Sequence, residues 1–239
     1  MQGAELSRIS VGVLQPGARP VGIGVMGVRR GVAMFDGIPR AVIVKVCAQP
    51  ELAAECFCAL LADALSVHAP ACGLVFENGV PHFASIDVQA PNLMQQFCID
   101  TANPRDHELR ALVDELVQWV GLGRLIALDV LVRNTDRHPG NLLTDGEDFW
   151  AIDHGRSLGL YQYQGHKTYR LAATYADPLT CANIEASAIS QALTFADDCV
   201  EGPRAELGAH SVIAGFAQPF SEQVANRLPT LASSIKGLL

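Results

Sequence analysis

The sequence predicts an α+β fold, β-rich up to about residue 48 and mainly helical from about residue 91 onward. Three observations lead there. Short runs of β-branched and small apolar residues, bounded by Gly and Pro, fill the first part. Apolar residues recur at helical intervals through the second. One tight hairpin signal, Asp145-Gly146-Glu147-Asp148, interrupts the helical part between two short apolar runs.

In chain order, residues 9–14 and 21–26 read as paired strands with the Gly- and Pro-containing segment 15–20 between them, and the glycines at 22, 24 and 27 suit close strand packing or bulges. Residues 41–47 form a β-branched run interrupted by the single cation Lys45. The Ala- and Leu-rich segment 50–65 reads as a helix. Residues 72–76 and 82–87 read as a hairpin closed by Glu77-Asn78-Gly79. Segment 87–92, containing Pro91, is the expected hinge between the β-rich and helical parts. Helices are expected over 109–120, 125–132, 183–199 and 212–239, the second of them apolar enough to be buried. Pro139-Gly140 ends that helical stretch, and residues 142–144 and 149–152 form the strands of the hairpin. Trp119 and Trp150 are expected to anchor packing rather than stack a ligand, and 161–167 to be an exposed loop.

The chain has 239 residues, 49% hydrophobic and 18% charged, which is enough apolar material for a sizeable core and excludes extended disorder. A net charge of −8 argues against a nonspecific nucleic-acid groove or an anionic membrane surface as main partner, and Arg29-Arg30 is too small a patch to change that. Seven cysteines show neither C-x-x-C pairs nor zinc spacing and read as buried, reduced thiols. No apolar stretch approaches the roughly 20 residues of a membrane span, and the first residues lack the basic start of a signal peptide. A cytoplasmic protein is the expectation.

The chemically informative stretch is 129–155. Asp136 is followed five residues later by Asn141, and Asp153 comes twelve residues after that, beyond the hairpin. Phosphoryl transfer asks a protein for positioning and charge neutralisation. It needs one carboxylate to orient or deprotonate the acceptor hydroxyl, and few, hard oxygen ligands for magnesium. Asp136 fits the first role; Asn141 and Asp153 fit the second. An isolated Asp or Asn in a Pro-Gly loop is ordinarily turn chemistry, as at Asp145-Gly146, and His138 beside Pro139 is ordinarily a loop residue. The ordered set with its flanking strands points to function. Such a site also requires a strand lysine paired with a helix carboxylate. Lys45 supplies the first, since a buried strand tolerates lysine only when it is paired or faces a ligand. Glu55, ten residues on, supplies the second; Glu51, one turn earlier, suits the helix dipole. No G-x-G-x-x-G or Walker motif is present. Gly17 and Arg19 are the candidates for phosphate contact, and the backbone around Asp87 for contact with adenine.

The string Asn134-x-Asp136-x-His138-x-x-Asn141 with Ile152-Asp153-His154-Gly155 resembles the catalytic and metal-binding loops of the HipA-like kinases, bacterial relatives of the eukaryotic protein-kinase fold. Asp136-Arg137-His138-x-x-Asn141 is also similar to phosphoinositide kinases, and His138-Pro139-Gly140-Asn141-Leu142-Leu143 to small-molecule phosphotransferases. The resemblance spans about residues 10–200, with its specific motifs at 129–155 and 41–58. It implies a bilobal protein-kinase-like fold with a nucleotide-binding N-lobe over 1–90 and a helical C-lobe over 91–239. It further implies ATP and Mg2+ as cofactors, a catalytic set of Asp136, Lys45, Glu55 and His138, nucleotide contacts from Lys45, Gly17, Arg19 and Asp87, and metal ligands Asn141 and Asp153. Serine or threonine of a protein substrate is the implied acceptor. The alternatives are a small-molecule or lipid hydroxyl, or a nonenzymatic pseudokinase acting as a nucleotide-dependent binding or regulatory module. The chain is too short for the extra N-terminal subdomain and larger helical lobe of HipA toxins.

Overall fold

In the computed structural model, which describes residues 8–21, 27–134, 136–162 and 167–239, the β-rich part is a sheet that closes on itself. Its strands are β1 (Ser10–Leu14), β2 (Arg19–Pro20), β3 (Val28–Phe35), β4 (Ile38–Lys45), β5 (Cys72–Glu77) and β6 (Val80–Ile86), in the order β1-β5-β6-β4-β3-β2. β1 runs parallel to β5 on one side and antiparallel to β3 on the other, with Gly12 opposite both Val75 and Phe35. Five strands therefore form a ring, leaving few unpaired strand edges. Leu14, Ala33, Phe35, Val42, Val44, Val75 and Ala84 fill its interior. Close backbone approach and the Phe35 ring together require glycine there: a Cβ on Gly12 would fall 2.5 Å from the Met34 carbonyl oxygen and 2.7 Å from the ring, and one on Gly73 2.7 Å from the Ser10 carbonyl oxygen and 3.1 Å from the ring. The expected strand at 21–26 lies, from residue 22 on, outside the described residues. The expected 72–87 hairpin forms as predicted, with Asn78 and Gly79 both in the left-handed region its turn needs.

Arg29 and Arg30 are committed within this sheet. Arg29 makes two parallel bonds to Glu77, at 2.9 and 2.7 Å, and Arg30 holds Asp87 at 2.7 Å. The pair is thus no basic patch.

Between β4 and β5 runs α1 (Gln49–Ala64). Pro50 occupies its first turn, where a missing N–H costs nothing, and the Glu51 carboxylate accepts from the Ala48 N–H at 3.1 Å. Ten of its residues are buried, so it is apolar nearly all round, as a helix enclosed on several sides must be. One side faces β5 and β6; the other packs on the C-terminal helices, where the Phe57 and Phe220 rings meet edge-to-face at 5.9 Å between centroids. A single apolar core consequently runs from Ile9 through α1 to Ile235.

The remainder comprises α2 (Leu93–Gln96), α3 (Asp106–Gln118), α4 (Leu122–Val132), the hairpin β7 (Leu142–Thr144) and β8 (Phe149–Ala151), then α5 (Lys167–Tyr175), α6 (Pro178–Ala192), α7 (Glu201–Ala209), α8 (Ala217–Ala225) and α9 (Leu231–Ile235). The α3, α4 and hairpin expectations hold, α3 starting three residues early. Trp119 stacks on Phe149 at 4.7 Å, anchoring the end of α3 to the hairpin. The long helices expected over 183–199 and 212–239 are corrected. The first begins earlier, because Asp177 caps the N–H groups of Leu179 and Thr180 and Pro178 opens the helix. The second starts only at Ala217 and is interrupted after Ala225, the chain passing through a 3-10 turn, Leu228–Thr230, with Pro229 in its first positions before α9 begins. α5 and α7 lie within the part expected to be mainly helical, in stretches to which the sequence assigns no individual helix. Among the described residues no helix is long and apolar enough to cross a membrane.

Because Phe57 is fully buried between sheet and helices, Phe57→Ala is expected to lower the unfolding free energy by about 3–5 kcal/mol. Val120→Ala, at a residue 95% exposed, is expected to change it by less than about 0.5 kcal/mol. Urea denaturation followed by circular dichroism checks both.

Candidate active site

Lys45 ends β4, Glu55 lies in the second turn of α1, and Asp153 follows β8, so three separate elements must meet for these side chains to touch. They do. The Lys45 ammonium donates to Glu55 Oε1 at 2.6 Å and to Asp153 Oδ1. Glu55 is buried and uses its other oxygen to accept the His154 N–H at 2.8 Å. Gly155 fits beneath, where a Cβ would fall 3.1 Å from Glu55 Oε1. Burial pushes Lys45 down, but Glu55 and Asp153 together outweigh it and hold the ammonium above its ordinary value. Burial also pushes Glu55 up against the opposing pull of Lys45. Asp153, desolvated yet in contact with Lys45, is held below the usual carboxylate range and is ionised at neutral pH. Its backbone is left-handed at φ 62°, an uncommon conformation for a residue with a side chain and one that collects at functional sites.

The loop after α4 carries the second group. Arg133 ends the helix in a left-handed conformation, and the Asn134 N–H returns to the Asp129 carbonyl at 2.9 Å. The Asn134 side chain accepts the Asp136 N–H at 3.0 Å, which fixes the start of the loop. Asn141 donates its side-chain N–H to the Asp136 carbonyl at 2.9 Å, leaving its Oδ1 as the atom to offer a cation. Across the hairpin Leu142 pairs with Ala151, and the Ile152 N–H reaches the Asn141 carbonyl at 3.2 Å, so Asn141 and Asp153 emerge at the same end, as expected. Two oxygen-bearing side chains suit magnesium, which keeps waters and phosphate oxygens in its remaining positions. Among the described residues no cluster of three or more His, Cys, Asp or Glu could hold a metal unaided.

Asp136 itself is about one-fifth exposed. Arg156 approaches its Oδ2 at 3.3 Å and Lys167 its Oδ1 at 3.7 Å. Arg156 lies over the Tyr161 ring, and Tyr161 donates its hydroxyl to Glu51. Neither cation stands out in the sequence; Lys167, at the end of the loop expected over 161–167, opens α5. Tyr161-Gln162 is described as exposed, and residues 163–166 lie outside the described residues.

Sequence reasoning missed the group underneath. Arg137 is completely buried and donates to both oxygens of Asp129, at 2.8 and 3.0 Å, and to the carbonyls of Asn141 and Ile152, at 2.7 and 2.9 Å. Asp129, equally buried, also accepts from Asn134 and Tyr169. The available signal was a lone carboxylate within the apolar run 125–132, the same anomaly that marks Lys45.

Other expected site residues are placed differently. His138 uses Nδ1 to accept the Gly140 N–H at 3.1 Å, and burial pushes its ring below the ordinary value, so it is a neutral loop brace. The Asp87 carboxylate is taken by Arg30 and by the Gln89 N–H. The 87–92 segment is fastened to β7, the Thr144 N–H reaching the Pro91 carbonyl at 2.9 Å. Gly17 sits in an open turn at φ 98°, and Arg19 pairs in register with Arg30, whereas Lys45 pairs with Val28. Beside this end of β4 the Val46 N–H bonds the carbonyl of Gly27, the residue before β3; residues 22–26 lie outside the described residues. His154 is buried, and burial lowers it to about 4, so the ring is neutral.

Removing one member of a buried ion pair strands the other in the interior. Arg137→Met is expected to cost about 3–5 kcal/mol of unfolding free energy, and Arg137→Met with Asp129→Leu less than the two single changes summed. A double-mutant cycle from denaturation curves reads this directly.

No family model matches the chain, and no curated protein matches it. Among solved structures, the crystal structure of the Helicobacter pylori proinflammatory kinase CtkA is similar, with a TM-score of 0.57 over 94% of this chain and 96% of that one, at 11% sequence identity. The chain thus has a mixed α+β fold, a sheet at its N-terminal side and helices at its C-terminal side, that is shared with a kinase.

Proposed function

We propose that this chain is an ATP- and magnesium-dependent phosphotransferase of the bilobal kinase type, HipA-like in its loops, with residues 1–90 and 91–239 as its lobes and serine or threonine of a protein as acceptor. The observation that carries the reading is the Lys45 ammonium held between Glu55 and Asp153, with Asp136 and Asn141 on the adjoining loop. Three sequence segments converge on one lysine, which a guard lysine on a strand edge would not require. The fold shared with a kinase supports the same reading.

In this site Lys45 orients the nucleotide phosphates and Glu55 keeps the ammonium in place. Asn141 and Asp153 would hold magnesium, which when bound with ATP neutralises phosphate charge. Asp136 orients the acceptor hydroxyl and takes its proton. Arg137, through the carbonyls flanking both metal ligands, sets the distance between loop and hairpin. The 87–92 backbone is the surface offered to adenine.

Incubation of the purified chain with γ-labelled ATP and magnesium, alone and with cell lysate, tests the proposal. Label is expected on this chain or on a lysate protein, and Asp136→Ala is expected to reduce transfer by ~10²–10⁴-fold while ATP still binds. Equal labelling by Asp136→Ala would contradict the role of Asp136. Label appearing only on small molecules would move the acceptor assignment away from protein.

A further inference from the structure

Resting on the phosphotransferase reading, we propose that Lys167 is a further catalytic residue, its ammonium donating to the phosphoryl oxygens while that group passes to an acceptor held at Asp136. Lys167 opens α5 and places its Nζ 3.7 Å from Asp136 Oδ1. That separation makes an ion pair but is too long for a hydrogen bond, so the N–H groups of the ammonium remain available to a third group. The side chain is 61% exposed, which lets such a group reach it. The placement is built into the fold. Thr168, the next residue, is fully buried and donates both its N–H and its hydroxyl to the Arg137 carbonyl, at 3.1 and 3.2 Å. The buried Tyr169 then donates its hydroxyl to Asp129. The first turn of α5 is thereby fastened to the catalytic loop one residue beyond Asp136, and Lys167 is carried to that carboxylate by bonds that a merely solvated lysine would not need.

The other cations of the site have other commitments. Lys45 is shared between the carboxylates of Glu55 and Asp153. Arg137 is buried and spends its donors on Asp129 and on the carbonyls of Asn141 and Ile152. Arg156 bonds the opposite oxygen of Asp136, Oδ2, at 3.3 Å and lies over the Tyr161 ring at 5.4 Å. In the transfer step the acceptor O–H gives its proton to Asp136, the acceptor oxygen bonds to Pγ, and the bond from Pγ to the β-phosphate oxygen breaks to leave ADP. An acceptor oxygen within hydrogen-bond reach of Asp136, about 2.6–3.2 Å, brings the arriving phosphoryl group alongside the ammonium. Charge is then spread over the equatorial oxygens of that group, and a donor already in position acts on it more strongly than on bound ATP.

The test is a calorimetric titration of ADP and magnesium, with and without aluminium fluoride as a stand-in for the phosphoryl group in transit, into the intact chain, Lys167→Met and Lys167→Arg. ATP binding is measured on the same three proteins. Aluminium fluoride is expected to tighten ADP binding to the intact chain about tenfold or more beyond its effect on Lys167→Met. Lys167→Arg, which keeps the charge, is expected to recover part of that gain, and all three proteins to bind ATP alike. Label transfer from γ-labelled ATP is expected to fall ~10²–10³-fold in Lys167→Met with KM for ATP unchanged. The same aluminium fluoride effect on the intact chain and Lys167→Met, or loss of ATP binding in that variant alone, would overturn the inference and leave the phosphotransferase reading standing. No ATP binding to the intact chain would remove that reading and the inference with it.

Discussion

The Arg137 guanidinium, with no exposed surface, sits at the junction of α4, the Asp136 loop and the β7–β8 hairpin, and its donors reach all three. A charge in that position survives only when it is fully hydrogen-bonded, since the desolvation cost of an arginine in the interior is several kcal/mol. Its bonds to Asp129 hold the side chain to the helix; those to the Asn141 and Ile152 carbonyls hold the backbone on either side of the hairpin. Every group assigned to chemistry in this half lies within one residue of an atom so fixed: Asp136, Asn141 and Asp153. Rigid placement at this level is what phosphoryl transfer requires, because positioning rather than covalent chemistry supplies most of the rate.

The second constraint joins the closed sheet to this frame. Lys45 belongs to the sheet, Glu55 to the buried helix and Asp153 to the hairpin, and the ammonium is the only group that contacts both carboxylates among the described ion pairs. Glu55 is the fixed partner, buried and tied to the His154 backbone. Asp153 is the more exposed partner, ionised and in a left-handed conformation. A cation arriving with phosphates would compete for Asp153 without disturbing Glu55, so the lysine keeps one anchor while the other oxygen set turns to a ligand. The apolar core running through α1 makes the sheet and the helices respond together, which gives the Lys45 contacts a stiff foundation.

Much of this was legible in the sequence because it rests on local patterns. The β7–β8 hairpin announces itself in Asp145-Gly146, and the pairing of Lys45 with Glu55 in one cation among β-branched residues followed by a carboxylate in a helix. What escaped depends on tertiary placement. Asp129 stands out only as a lone carboxylate in an apolar run, and Arg137 looks like an ordinary loop base until the fold buries both. The ring closure of the sheet arises from β1 pairing on both sides, a nonlocal event with no sequence period of its own. Strand register, which places Arg19 opposite Arg30 and Val28 opposite Lys45, cannot be read from composition, so the position of Gly17 and Arg19 relative to Lys45 was not legible. In the C-terminal stretch the apolar spacing is continuous, whereas the helix stops after Ala225 and resumes at Leu231 beyond a 3-10 turn, a break that periodicity does not mark.

The most direct test of the central claim is a calorimetric titration of ATP into the intact chain and into Asp153→Asn, each with and without magnesium. The account predicts that magnesium tightens ATP binding to the intact chain and has little effect on the variant, which keeps the fold but loses the ionised ligand. Absence of ATP binding to the intact chain, or the same magnesium dependence in both proteins, would contradict it.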